Sequence, residues 1–187
     1  MKQQLRAKMD LLPTWARSIL KRAHLFIRNE YCRQKYVKLG RSAYLGSGFR
    51  LTVKNAHCVY LGERTNLEMG NIWSTTCGEI KVGDDCWFGV HNIVMGPVII
   101  GNNVGMGPHV TIVGPHHAVR GFENNAGRMT VIGNNVWISA NTTIMFGVKI
   151  GDNAIVGPAS LVAHDVPPNA YVMGNPARDL TKLVKFG

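Results

Sequence analysis

The chain has 187 residues, 45% of them apolar, and 21 Lys and Arg against 11 Asp and Glu, a formal net charge of +10. This length suits one main domain with an appended segment and leaves enough apolar residues for a packed core. No run of about eighteen apolar residues occurs, so no membrane-spanning helix is expected. No unbroken apolar stretch precedes a small-residue cleavage site near the N-terminus, so no secretory leader is expected either.

Residues 1–40 hold ten Lys or Arg against Asp10 and Glu30, so the basic character is mostly N-terminal. Within them, residues 11–38 are predicted helical. Leu12, Trp15, Ile19 and Phe26, with Leu20, Ala23, Ile27 and Tyr31, follow three-or-four spacing, and Pro13 suits a first turn. Lys21, Arg22, Arg28, Arg33, Lys35 and Lys38 coat the rest. Such a helix either covers an end of the following domain or lies on an anionic membrane surface, and the two roles are compatible. It carries no recognisable nucleic-acid-binding module, and no nucleic-acid partner is expected. Cys32, Cys58, Cys77 and Cys86 show no CxxC spacing and are expected to be free thiols in a reducing compartment.

From about Tyr44 a loose beat begins, with Asn71 to Glu79 expected as a loop that breaks its phase. It then becomes regular. Apolar residues stand six apart at Val82, Phe88, Val94, Ile100, Met106 and Ile112, and again at Ile132, Ile138, Ile144, Ile150, Val156 and Val162. The fifth position of each hexapeptide is small, as at Cys86, Val104 and Ala154. Gly often follows the apolar residue, where it is expected to supply the positive φ of a corner. No helix repeats every six residues, whereas a parallel β-helix does, with first and fifth positions pointing inward. Ile112 and Ile132 are twenty apart, which marks an inserted polar, Gly-rich loop at about 114–131. Long insertions in a regular solenoid tend to carry function. The expected organisation is a helical segment over 1–43, a β-helix over 44–176, and a short C-terminal helix and tail over 177–187.

The phrases IGNNVWISANTTI, VKIGDNAIVGPASLV and DVPPNAYVMGNPARDL resemble the hexapeptide-repeat acyltransferases, in particular the branch that acetylates sugars and polysaccharides. The resemblance spans roughly residues 60–180. It implies a mainly β fold, a left-handed parallel β-helix, although general crossover chirality would give the opposite hand. It also implies acetyl-CoA as co-substrate, a sugar or polysaccharide acceptor, a homotrimer with sites between subunits, and a cytoplasmic protein, in keeping with the membrane contact considered for the basic helix.

Acyl transfer from a thioester to a hydroxyl needs a base near neutral pH, and no metal. By the resemblance, the base follows the Val110-Thr111-Ile112 strand, which selects His116, with His117 as the alternative one place further on. Trp137 would line the acceptor and pantetheine slot. Ala140, Pro158, Ala163 and His164 would border the coenzyme, with Arg178 on its phosphates. His91 and His109 are eighteen apart and so stack on adjacent coils; they and Glu123 are candidate acceptor contacts. Stacked imidazoles invite a zinc reading, but the His-x4-His pair such β-helices use is missing, and no metal is expected. Two other readings stay open: N-acetylation of an amino sugar nucleotide or other small amine, and a non-catalytic β-helix scaffold.

Overall fold

The computed structural model describes Pro13, Ala16, Ile19, Tyr31, residues 34–115 and residues 128–183. It divides into two units, Met1–Lys35 and Tyr36–Gly187. In the first, Ala16, Ile19, Tyr31, Gln34 and Lys35 are helical. The Lys35 Nζ donates to the Tyr31 hydroxyl one turn back, at 3.1 Å.

The second unit is a parallel β-helix of short strands. Its first coil holds β1 (Val37–Leu39), β2 (Tyr44–Leu45) and β3 (Arg50–Thr52), and its second β4 (Val59–Leu61), β5 (Asn66–Leu67) and β6 (Ile72–Ser74). The third holds β7 (Ile80–Val82), β8 (Trp87–Phe88) and β9 (Ile93–Met95), and the fourth β10 (Val98–Ile100), β11 (Gly105–Met106) and β12 (Thr111–Ile112). After the inserted loop come β13 (Thr130–Ile132), β14 (Trp137–Ile138) and β15 (Thr143–Ile144), then β16 (Lys149–Ile150), β17 (Ile155–Val156) and β18 (Leu161–Val162). A final hairpin is formed by β19 (Tyr171–Gly174) and β20 (Ala177–Asp179). Through β18, every third strand stacks into the same sheet. Sheet A is β1-β4-β7-β10-β13-β16, sheet B β2-β5-β8-β11-β14-β17-β19-β20, and sheet C β3-β6-β9-β12-β15-β18.

The hexapeptide beat points inward as expected. Phe88, Val94, Met106, Ile112, Ile138, Ile144 and Val156 are fully buried, and so are the small fifth-position residues Val110, Ala154, Asn92 and Thr142. The core begins earlier than the regular beat. Trp73 is fully buried and meets Phe49 and Phe88 edge to face, with ring centroids 5.9 and 5.4 Å apart.

Two kinds of corner join the sheets. Every turn from A to B, and every turn from B to C, has four residues between strands, and the third has positive φ. From A to B that third residue is Ser42, Arg64, Asp85, Asn103, Asn135, Asn153 or Asn169; from B to C it is Gly48, Gly70, His91, His109, Asn141 or Ala159. Asn, Asp and His tolerate this region better than most residues. Their side chains extend the stack: Asn103 Nδ2 donates to Asn135 Oδ1 (2.9 Å), Asn135 to Asn153 (3.1 Å) and Asn153 to Asn169 (3.1 Å).

The repeat glycines therefore have a different reason from the one expected. Gly83, Gly89, Gly101, Gly107, Gly133, Gly151 and Gly157 do not have positive φ. At the first six the coils touch backbone to backbone, and at Gly157 the Met173 side chain fills the space a Cβ would take. A Cβ on Gly101 would lie 2.8 Å from the Gly133 carbonyl carbon, and one on Gly107 only 2.7 Å from the Ala140 nitrogen. A side chain there would push the coils apart.

The C-to-A corners are irregular. They run over 53–58, 75–79, 96–97, 113–129, 145–148 and 163–165. The long one is the inserted loop: Ile100 pairs with Ile132, a step of 32 residues, whereas Val82 pairs with Ile100, a step of 18.

Four sequence expectations need correction. Val37–Leu39, read as the end of the helix, is β1 and pairs with β4. Asn71 to Glu79 is a loop only from Thr75 onward, because Ile72–Ser74 is β6 and carries the buried Trp73. The inserted loop ends at Met129, since Thr130 and Val131 belong to β13. The expected C-terminal helix from Ala177 begins instead as β20, antiparallel to β19, followed by a turn over 181–183.

Candidate active site

The outer face of sheet B carries one column of residues in register: Tyr44, Asn66, Trp87, Gly105, Trp137, Ile155 and Tyr171. Trp137 stands in the coil directly after the inserted loop, and is 45% exposed despite its size. Its indole is held in a defined pose. The ring lies against Gly105, where a Cβ would come within 2.5 Å of Cε3 and Cζ3. It stacks on Trp87, with centroids 6.1 Å apart and planes 4° from parallel. Its Nε1 donates to Ser139 Oγ at 3.1 Å, which draws the N–H toward the corner between sheets B and C.

That corner gathers several of the expected residues. His91, His109 and the Ala140-Asn141 and Pro158-Ala159 pairs occupy its successive rungs; the His109 N–H donates to the Val90 carbonyl and the Ala159 N–H to the Ala140 carbonyl. His91 and His109 meet edge to face, 5.5 Å between centroids. His91 also covers Gly70, where a Cβ would come 2.6 Å from its Nε2. Both are corner residues with positive φ, which accounts for their eighteen-residue spacing. Among the described residues, no three His, Cys, Asp or Glu side chains cluster in a way that could hold a metal.

Arg178 lies in β20, on the same sheet as Trp137 and three strands along, about 14 Å by strand spacing. It is exposed, and its Nη1 donates to the Ala177 carbonyl at 3.2 Å. Ala163 and His164 are exposed at the last C-to-A corner, two rungs beyond the roots of the inserted loop. His116, His117 and Glu123 lie outside the described residues.

The expected site residues thus fall in two groups. Trp137, His91, His109, Ala140, Pro158 and Arg178 stand on sheet B or at its edge with sheet C. Ala163, His164 and both roots of the loop stand at the C-to-A corner, across the triangular section from sheet B. A single chain does not bring the loop's roots beside Trp137.

Three features went unrecognised in the sequence: Trp87, Glu68 and Gly105. Trp87 Nε1 donates to Glu68 Oε1 at 3.2 Å. The signal for Trp87 was present, since DDCWFGVHN repeats the phase of NNVWISANT. Cys58, Cys77 and Cys86 are not joined in disulfides; burial pushes the Cys86 thiol up, which suits its place in the core. Among the described residues, no helix is long and apolar enough to cross a membrane.

Comparison with known proteins places these features in a family. Residues 129–164 match the pattern described as bacterial transferase hexapeptide (six repeats), and residues 79–111 the hexapeptide repeat of succinyl-transferase. The chain is 40% identical over 90 residues to galactoside O-acetyltransferase of Escherichia coli K12, covering 46% of this chain and 44% of that one. It thus spans less than half the length of that relative. It is 36% identical over 135 residues to the Bacillus subtilis protein named "Putative acetyltransferase YvoF", covering 70% of this chain and 77% of that one. In three dimensions it is similar to AntD, an N-acyltransferase from Bacillus cereus solved with dTDP and coenzyme A, at a TM-score of 0.66 and 15% identity over 80% of this chain and 86% of that one.

Proposed function

Because the chain belongs to the bacterial hexapeptide transferases, we propose that it is an acetyl-CoA-dependent O-acetyltransferase acting on a sugar hydroxyl, within a cell-surface polysaccharide or its precursor. The observation that carries the reading is the 40% identity to a galactoside O-acetyltransferase. The exposed Trp137 supports it, because an indole can lie against a sugar's apolar face or a pantetheine arm.

In this mechanism the imidazole of His116, or of His117, removes the acceptor hydroxyl proton as the oxygen attacks the thioester carbonyl. The C–O bond forms, the C–S bond breaks, and the proton passes to the departing coenzyme thiolate. Backbone N–H groups hold the oxyanion between these steps. The small residues at the B-to-C corner fit a narrow coenzyme arm: Ala140 and Pro158 leave the backbone close to the surface. The exposed Arg178 guanidinium, with its forked donors, suits phosphate. Since the loop roots and Trp137 lie on opposite sides of the section, the site is completed by setting one copy's C-to-A corner against another copy's sheet B. A closed ring of three copies does this at every contact.

The test is acetyl-CoA turnover, followed as free thiol, with sugars, bacterial polysaccharides and amino-sugar nucleotides as acceptors. Release that depends on a hydroxyl acceptor supports the reading. Release only with amines assigns N-acetylation, and no release together with no acetyl-CoA binding assigns a scaffold.

A further inference from the structure

Trp137 is an exposed side chain on a flat sheet, and nothing in its own strand keeps its ring from swinging over solvent. Three neighbours fix it. Gly105 gives the ring a floor without a side chain, Ser139 accepts its N–H, and Trp87 stacks parallel to it. Trp87 and Trp137 are two coils apart, about 9.5 Å along the sheet. Their rings come to 6.1 Å because the Trp137 indole leans over the glycine between them. Trp87 is itself anchored, since its N–H is spent on the Glu68 carboxylate one coil below. A hydrogen bond to a charged acceptor is stronger than one between neutral groups, so Glu68 holds Trp87 in one rotamer. With both indole N–H groups engaged inside the protein, Trp137 presents a ligand with ring surface and no donor.

We propose that Trp87, anchored by Glu68, is a positioning residue that holds the Trp137 indole at the coenzyme slot. The inference rests on the reading of Trp137 as a wall of that slot. It assigns to Trp87 no contact with the reacting atoms. Its effect passes through the stack, so it changes how well acetyl-CoA is held and not the chemistry at the base.

The experiment uses the full chain with Trp87→Ala, Trp87→Phe and Trp137→Ala, singly, and Trp87→Ala combined with Trp137→Ala. The readouts are the coupled-indole signal in circular dichroism, the Kd for acetyl-CoA by calorimetry, and thermal unfolding. Trp87→Ala should abolish the coupled signal and weaken acetyl-CoA binding about two- to tenfold, the range of one aromatic pair. Trp87→Phe should lose the coupled signal yet bind nearly as wild type, because a phenyl ring still supports the stack, and it covers the case in which the alanine variant folds poorly. In the Trp137→Ala background, Trp87→Ala should have no further effect on Kd. Additive losses in the double variant, or a coupled signal that survives Trp87→Ala, would overturn the positioning role. If the signal behaves as expected while Trp137→Ala leaves Kd unchanged, the stack exists but Trp137 is not a slot wall, and it is the underlying site reading that falls.

Discussion

The A-to-B corner and the C-to-A corner belong to the same coils and are built on opposite rules. From A to B, each connection has four residues and a positive-φ third residue, and from the second coil on that residue donates its N–H to the coil below, as from Asn135 to Asn102 O at 2.9 Å. From C to A, the connection ranges from Gly96-Pro97 to the long segment 113–129. A stacked amide ladder penalises any change of length, because one extra residue would break register for every coil above it. A corner without such a ladder lets the chain leave and return without disturbing the strands on either side. The fold therefore separates a rigid ruler from a permissive edge, and the histidine loop is carried on the permissive edge.

The largest expected effect sits on that edge. His116→Ala should lower turnover by about 10²- to 10⁴-fold, the usual contribution of a positioned base, with unfolding unchanged. If His117→Ala shows the loss instead, the base is one residue further on. Next comes excision. Replacing residues 113–129 by a two-residue corner of the Gly96-Pro97 kind should abolish turnover and keep the melting temperature near wild type, since closure entropy changes slowly with loop length. Unfolding of that variant would show that the edge is less permissive than its varied lengths indicate.

On the rigid side the effects are moderate. Asn135→Val puts a β-branched residue at φ 56° and breaks the ladder at Asn103 and Asn153, so a loss of about 1–2 kcal/mol is expected by urea unfolding. A wild-type midpoint would mean the ladder is decorative. The smallest effect concerns Asp85, whose carboxylate is held below its ordinary range by the Arg64 hydrogen bonds, both 2.6 Å. A depressed carboxylate adds stability that is complete above the ordinary range and disappears as the pH falls through the folded-state value. Asp85→Asn should therefore slightly flatten the acid side of a melting-temperature profile, and added salt should shrink even that, because the pair is solvent-exposed.

The middle and later coils were legible because their rises are close to regular, so one phase of six reads straight through Val82 to Ile112 and Ile132 to Val162. The first two coils were obscured by the permissive edge. Val37 pairs with Val59 and Val59 with Ile80, steps of 22 and 21, so the beat slipped and Trp73 was assigned to a loop. Val37–Leu39 continued the apolar spacing of the helix before it, and only pairing with β4 makes it a strand. The glycines were assigned to the right positions for the wrong reason, because close approach between coils is a property of the stack and not of any hexapeptide. Trp137 stood out through its motif. Trp87 did not, although it shares the phase, because its partner is two coils away and the glycine that lets them meet is silent in a one-dimensional reading.

The terminal hairpin bears on what the molecule does in a crowd. A parallel β-helix whose last coil ended in the same sense as the rest would offer a second copy an in-phase edge, and stacking could continue into fibres. Here sheet B ends in β20, which runs against β19 and presents the alternating hydrogen-bond pattern of an antiparallel edge. On sheet A, the bridge from Ile150 to Val166 is followed at once by Pro167 and Pro168, which have no N–H to donate. Among the described residues, sheets A and B thus each end in an edge unlike the parallel rungs before them, whereas sheet C ends in the parallel strand β18.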